Sequence, residues 1–192
     1  MQLIVASTNT QKVLQLKSML KELRPTLEIR SLFDFPQCRP EANFDHSPLD
    51  RACHIASTAA SALSLTCLSE QWQLVIPSLA NKPVFAPGAS CAAHTKCILG
   101  LLENAQDFER SAYIESSICC ANPAGKIYKA TARIEGLIAE TERGKASVDF
   151  ENIFIKHDYQ KTLAELSEST RWRISARRKA LEKLSIYLEA LQ

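Results

Sequence analysis

The apolar positions at the head of this chain follow two rhythms. Leu3-Ile4-Val5-Ala6 is a short continuous run, the pattern of a buried strand. Val13, Leu16, Leu20 and Leu23 then recur at helical spacing up to Pro25, which stops a helix. Leu27, Ile29 and Leu32 predict a second strand. A strand–helix–strand opening argues for an α/β fold.

The pattern continues in the same style. Ser47-Pro48-Leu49-Asp50 combines an N-cap, a proline at the first helical position and an acid at the third. Ala52, Ile55, Ala56, Ala59 and Leu63 share one face of the helix behind it, and small residues there allow close packing on a sheet. Residues 72–88 read as a strand followed by a loop punctuated by Pro77, Pro83 and Pro87-Gly88, and a helix is expected over about 91–103. Tyr113 to Cys120 and Lys126 to Ile138 predict two long strands joined by the turn Asn122-Pro123-Ala124-Gly125. A last helix is expected from near Ile174 to about Leu191, with Ile174, Leu181, Leu184, Leu188 and Leu191 as its apolar stripe. There are no repeats and no linker, so residues 1–192 read as one mixed α/β unit of two lobes.

Composition narrows this little. The chain is 46% hydrophobic and 23% charged, ordinary for a globular protein, and its net charge of +2 provides no large field for nucleic acid or a membrane surface. Leu3–Ala6 is too short for a signal-peptide core, and no run approaches the roughly 18 apolar residues of a membrane span. Seven cysteines form no Cys-x-x-Cys pair and no Cys/His ligand set. Their odd number and scatter fit small buried hydrophobes in a reducing cytoplasm.

Local charge is more informative. The turn Ser7-Thr8-Asn9-Thr10-Gln11-Lys12 joins the first strand to the first helix. Main-chain N–H groups and the positive end of a helix dipole converge at such a turn, which suits an anion, and Lys12 adds a full charge. Ser7 and Asn9 also suit simple helix capping. At the far end Arg171, Arg173, Arg177, Arg178 and Lys179 crowd the expected start of the last helix, where cations oppose the dipole. Arg173, Arg178 and Lys179 read as a solvated basic face. Arg177 falls on the apolar stripe, and an inward arginine needs a carboxylate or phosphate partner.

Taken in order, these segments resemble the inosine triphosphate pyrophosphatase family, which hydrolyses deaminated purine nucleoside triphosphates to monophosphate and pyrophosphate. Ser7-Thr8-Asn9-Thr10-Gln11-Lys12 is similar to its [ST]-x-N-x-x-K turn, and Asp50-Arg51-Ala52 stands where it has Glu-Asn-Ala. Ala86-Pro87-Gly88 matches its Ala-Pro-Gly, and Arg110-Ser111-Ala112-Tyr113 its Arg-x-Ala-aromatic strand start. Val148-Asp149-Phe150-Glu151-Asn152-Ile153-Phe154 stands for Phe-Gly-Tyr-Asp-Pro-Ile-Phe. Thr162-Leu163-Ala164-Glu165-Leu166 is close to Thr-x-Ala-Glu-Leu, and Ile174-Ser175-Ala176-Arg177 with Ala180-Leu181 resembles the terminal Ser-His-Arg-x-x-Ala-Leu helix.

The resemblance implies an elongated mixed sheet with flanking helices in two lobes around a cleft, a homodimer, and a purine nucleoside triphosphate as ligand. It implies that Lys12, Arg171 and Arg177 clamp phosphates, with Ser7, Asn9, Glu151 and Ser175 also at the substrate and Phe150 stacked on its base. Mg²⁺ would accompany an active enzyme, held by Glu41, Asp45 or Asp50, with Glu41 nearest the family's first metal-binding glutamate.

The departures matter as much. The family's Asp-Asp-Ser-Gly element, whose acids serve metal binding and water activation, corresponds here to Leu74-Val75-Ile76-Pro77-Ser78-Leu79, and no acid occurs between Gln71 and Leu102. The family's lysine after Glu-Asn-Ala aligns with Ile55, and its terminal histidine with Ala176. Two readings follow: a pyrophosphatase of weakened activity, or a non-catalytic nucleotide-binding or protein-interaction homologue. A nucleic-acid binder is disfavoured, because total charge is low and the basic helix is expected to show no exposed aromatic beyond Trp172.

Overall fold

A computed structural model describes residues 2–41, 47–80, 90–145 and 150–188. Six strands form one mixed sheet: β1 (Gln2–Val5), β2 (Glu28–Ser31), β3 (Thr66–Val75), β4 (Ser111–Ala121), β5 (Ile127–Ile138) and β6 (Phe154–Lys156), in the order β2-β1-β3-β4-β5-β6. The helices are α1 (Thr10–Leu23), α2 (Pro48–Leu63), α3 (Cys91–Leu101), α4 (Glu168–Ile174) and α5 (Ala176–Ser185). The chain divides into two compact units, the first of Met1–Gln73, Ser116–Ala132 and Ala176–Gln192, the second of Leu74–Glu115 and Arg133–Ser175.

In the first unit β1 runs parallel to both neighbours, with Val5 opposite Ser31 on β2 and Leu68 on β3. Leu3, Ile4 and Val5 have no exposed surface, as a central parallel strand covered on both faces requires. From β1 the chain turns through α1 to β2 on one side, and β3 lies on the other. Strand order therefore reverses at β1, and ligands of open α/β sheets bind beyond the carboxyl ends of the strands at such a point. Helix α1 buries Val13, Leu16, Met19 and Leu20 and packs on α5. Helix α2 begins as expected: the Ser47 hydroxyl accepts from Asp50 N at 3.1 Å, and Pro48 stands at its first turn. It buries Ala52, Ile55, Ala56, Ala59 and Ala60.

In the second unit β6 pairs antiparallel with β5, Gly136 opposite Lys156 and Ile138 opposite Phe154. Buried Arg110 donates to the carbonyls of Leu102 (2.6 Å), Ala139 (3.1 Å) and Ile138 (3.4 Å), tying the end of the α3 segment to the end of β5.

Three expectations need correction. The strand expected from residue 72 begins six residues earlier, at Thr66. Strand β6 had no counterpart in the sequence reading. The last helix, expected from near Ile174 to about Leu191, is α5, from Ala176 to Ser185; a separate helix, α4, precedes it and ends at Ile174, and at Ser175 between them the backbone is extended (φ −67°, ψ 151°), where the chain passes from the second unit to the first. Arg171 and Arg173 therefore occupy the last turn of α4, where a cation favours the dipole instead of opposing it. Among the described residues no helix is long and apolar enough to cross a membrane.

Candidate functional site

The opening turn forms because β1 runs out of strand partners. Ala6 N still donates to Leu68 O at 2.7 Å, after which the side chains take over. Asn9 N donates to the Ser7 hydroxyl (3.1 Å), and Lys12 N to Asn9 Oδ1 (2.9 Å), so Ser7 and Asn9 shape the turn and cap α1. Lys12 projects from the third helical position, and the first turn of α1 holds no acid to balance it.

Its partner comes from β3. Glu70, whose side chain is wholly buried, lies two residues past the Val5–Leu68 pair, beside the turn. Lys12 Nζ sits 3.3 Å from Glu70 Oε2 and donates to the Glu70 carbonyl at 2.9 Å. Arg177, near the start of α5, donates from Nε to Glu70 Oε1 (3.3 Å) and from Nη2 to Oε2 (3.4 Å). The Ser116 hydroxyl on β4 donates to Oε1 at 2.9 Å, and Gln15 on α1 accepts from Arg177 Nη1. The inward arginine thus has the carboxylate partner its position demanded. Full burial pushes the Glu70 carboxyl up, but Arg177, Lys12 and the Ser116 hydroxyl outweigh it and hold the group at about 2. Two cations share one carboxylate, so one positive charge remains uncompensated among these three groups.

Glu70 is the residue that sequence reading passed over. The acid-free interval begins at Gln71, one position too late to include it. The signal was present in Arg177 itself, an arginine on an apolar stripe in search of an anion, and in the apolar Cys67-Leu68 that marks a strand leading to Glu70.

A cavity of about 570 Å³ opens beside the turn in the same unit. Ser7 and Thr8 line it with Phe33, Arg39, Ile55 and Gln71. Its volume suits a nucleotide-sized ligand. Ile55 brings an apolar surface to this wall at the position matched to the family's lysine. Glu41 is exposed and follows Pro40, another lining residue; Asp45, Ala86-Pro87-Gly88 and Val148-Asp149 lie outside the described residues. Asp50 is exposed at the head of α2, engaged with Ser47. Among the described residues no three His, Cys, Asp or Glu side chains gather as a metal cage.

In the second unit Arg171 Nη1 pairs with Glu151 Oε2 at 3.1 Å, both side chains largely buried, and the Ser175 hydroxyl donates to Trp172 O at 2.7 Å. Phe150 is buried, at φ +66°, with its ring stacked on His94 at 6.4 Å between centroids. A bulky residue in the left-handed region is uncommon. The basic cluster divides accordingly: Arg171 faces Glu151, Arg177 faces Glu70, and Arg178 is ion-paired at the surface with Glu182 (2.8 Å) and Glu22.

Comparison with known proteins finds relatives along nearly the whole chain. A sequence model of the Ham1 family matches residues 3–187. The chain is 36% identical to a dITP/XTP pyrophosphatase of Chlamydia trachomatis, over all of this chain and 94% of that one, and 33% identical to the dITP/XTP pyrophosphatase of Chlamydia caviae, over 100% and 96%. Among solved structures, a HAM1 protein from Coxiella burnetii superposes with a TM-score of 0.85 at 26% identity, covering 99% of both chains. A nucleoside-triphosphatase / dITP/XTP pyrophosphatase from Mycobacterium abscessus does so with a TM-score of 0.76 at 26% identity, covering 96% and 98%.

Proposed function

The chain belongs to the Ham1 family, and from that premise we propose that it hydrolyses deaminated purine nucleoside triphosphates, of the dITP and XTP kind, to monophosphate and pyrophosphate. The observation that carries this reading is the Lys12–Glu70–Arg177 cluster at the strand switch point, beside a cavity of suitable size. Its residual positive charge invites a phosphate. Ser69-Glu70-Gln71-Trp72 is then this chain's form of the family's Asp-Asp-Ser-Gly element, with one carboxylate in place of two.

In this mechanism Asn9 fixes the first turn of α1, so that Lys12 is presented to the triphosphate. Arg177 meets the same chain of phosphates from α5. Glu70 is ionised at neutral pH but, clamped by two cations, is a weak base, because efficient proton acceptors titrate near the working pH. A bound triphosphate draws Lys12 and Arg177 toward its own oxygens. That loosens their hold on Glu70 and raises its affinity for the proton of an attacking water. Ser69, at the other acid position, supplies no second carboxylate, so turnover is slow; each 1.4 kcal/mol of lost stabilisation is about tenfold in rate. Magnesium, when bound, neutralises the triphosphate and polarises the bond that breaks. It commonly binds through one or two carboxylates plus substrate phosphates. Glu70 and Glu41 would be the carboxylates to hold it. Arg171, Glu151 and Ser175 take the substrate roles that the resemblance implies, and the protein works as a homodimer, measurable by light scattering.

The test is pyrophosphate release from ITP, dITP and XTP with and without Mg²⁺, alongside calorimetric ITP binding. Release above buffer that requires Mg²⁺, with Lys12→Ala weakening ITP binding at least severalfold, supports the reading. Binding without release would leave a non-catalytic nucleotide binder, and loss of both would overturn the site.

A further inference from the structure

The segment that follows β2 carries a cation that the proposed mechanism does not use. Strands β2, β1 and β3 run parallel, so their carboxyl ends share one edge of the sheet, and the segments leaving them meet there. The turn after β1 brings Ser7 and Thr8 to the cavity. The segment after β2 brings Phe33 and Arg39, and β3, past its last pairing with β1 at Leu68, brings Gln71.

The segment after β2 is shaped by its own backbone. Phe35 N donates to Leu32 O at 3.0 Å, and Cys38 N to Phe35 O at 2.9 Å. Leu32 and Cys38 are buried, so both ends of this double turn are anchored in the core. Arg39 follows directly on the second anchor, and Pro40 after it disfavours helical backbone at Arg39. Arg39 Nε donates to Pro36 O at 3.3 Å. That bond engages one of the five guanidinium donors and leaves the fork of Nη1 and Nη2 for another acceptor.

Charge decides what the cavity suits. Among the described residues that line it, Arg39 is the one charged side chain, accompanied by the Ser7 and Thr8 hydroxyls and the Gln71 amide. Asp34, the acid of the same segment, is taken up by Ser31 N (2.9 Å) and Arg30 Nε (3.9 Å). Among the described residues no carboxylate pairs with Arg39. A guanidinium fork with hydroxyl and amide donors around it is complementary to a phosphate group, which it meets through two parallel hydrogen bonds.

We propose that Arg39 binds the phosphate chain of the nucleotide in this cavity, its guanidinium fork taking two oxygens of one phosphate group. The inference rests on the reading that the cavity admits a nucleoside triphosphate, and it adds a third cation to that site. Arg39 differs in kind from the other two. Lys12 and Arg177 are held by Glu70 until a triphosphate draws them off. Arg39 has no such countercharge to give up and, being exposed, meets an incoming phosphate first.

The experiment is calorimetric titration of the full-length protein with ITP and with inorganic pyrophosphate, without Mg²⁺ so that nothing is turned over. Arg39→Gln should weaken both about tenfold, the loss of one charge-assisted contact. Arg39→Lys, which keeps the charge but not the fork, should recover part of that loss. The gap between parent and Arg39→Gln should narrow as salt rises, because an exposed cation is screened, whereas a merely structural role would leave it constant. A constant gap overturns the proposal. So does unchanged binding by Arg39→Gln where Lys12→Ala weakens ITP binding, a result that leaves the Lys12 site standing. Weaker ITP binding with pyrophosphate binding untouched would put Arg39 on the nucleoside and overturn it too. Weaker binding of both ligands by Arg39→Gln, in a protein that releases no pyrophosphate when Mg²⁺ is added, would uphold Arg39 as a phosphate ligand while the hydrolytic reading fails. Failure of the unmodified protein to bind either ligand would overturn both.

Discussion

Replacing Glu70 with glutamine isolates the charge at the centre of the candidate site. The amide keeps the shape of the carboxylate and can still accept from Ser116, so packing changes little. The countercharge of Lys12 and Arg177 is lost, with one acceptor for Arg177 Nη2, since an amide nitrogen cannot accept, and the two side chains are merely 16% and 13% exposed. Removing one partner of a buried ion pair costs about 3–5 kcal/mol, because the other is left uncompensated. An independent route reaches a similar figure. A carboxyl held at about 2 instead of its ordinary 4.5 stabilises the folded state on the order of 3 kcal/mol at neutral pH. Since the folded value is the lower one, that contribution is complete above the ordinary value and fades as pH falls toward about 2. With a urea slope of about 2–3 kcal/mol per molar, Glu70→Gln should lower the unfolding midpoint by about 1–1.5 M at pH 7. The gap between variant and parent should narrow steadily as the melts are repeated below the ordinary carboxyl value. A gap of constant size down to acid pH would mean that lost packing, not lost charge, is being measured. A gap near zero at pH 7 would mean that Lys12 and Arg177 do not depend on Glu70 at all.

Other perturbations test the frame around the site. A Cβ at Gly136 would lie 2.1 Å from the Ile155 carbonyl oxygen and 2.7 Å from the Phe154 ring, so Gly136→Ala should cost about 1–3 kcal/mol in thermal unfolding; an unchanged melting temperature would refute the β5–β6 pairing. Arg110→Met leaves three buried carbonyls without their donor and should lower stability by about 3 kcal/mol in urea melts, with Arg110→Lys recovering part of the loss. Ser47→Ala removes the N-cap of α2 and should cost about 1 kcal/mol, read by the same melts.

The elements legible in the sequence were those whose signals are local. The run Leu3–Ala6, the helical spacing from Val13 to Leu23 and the cap at Ser47 each state their own structure, and β1, α1 and α2 stand where these predicted. The turn Asn122–Gly125 likewise joins two strands, with Gly125 at φ +81° and Asn122 Oδ1 accepting from Lys126 N. Strand β6 could not be read in this way. It is three residues long and exists because Gly136, lacking a side chain, lets the backbone of Ile155 lie against β5. The break at Ser175 was hidden for the opposite reason. The apolar spacing from Ile174 to Leu181 runs on through it, while the backbone does not. That error carried a sign with it: cations assigned to the unfavourable start of one helix include two, Arg171 and Arg173, at the favourable end of another.

The central carboxylate was lost through the same kind of displacement. Setting the third strand at residue 72 places Glu70 before it, in a connecting loop where an acid needs no explanation. Starting the strand at Thr66 makes Glu70 the fifth residue of a buried parallel strand, where an unpaired carboxylate would be prohibitively costly. A partner is then required, and the sequence offers two cations that themselves lack one: Lys12 in a first helical turn without acids, and Arg177 on an apolar stripe. Each of the three is anomalous alone, and a single contact among them removes all three anomalies. A cation and an anion misplaced against their local patterns are therefore better searched for as a pair than judged one at a time. Applied here, that rule turns the missing acids of the candidate site into a narrower question, whether one buried glutamate preceded by Ser69 can do the work of two aspartates.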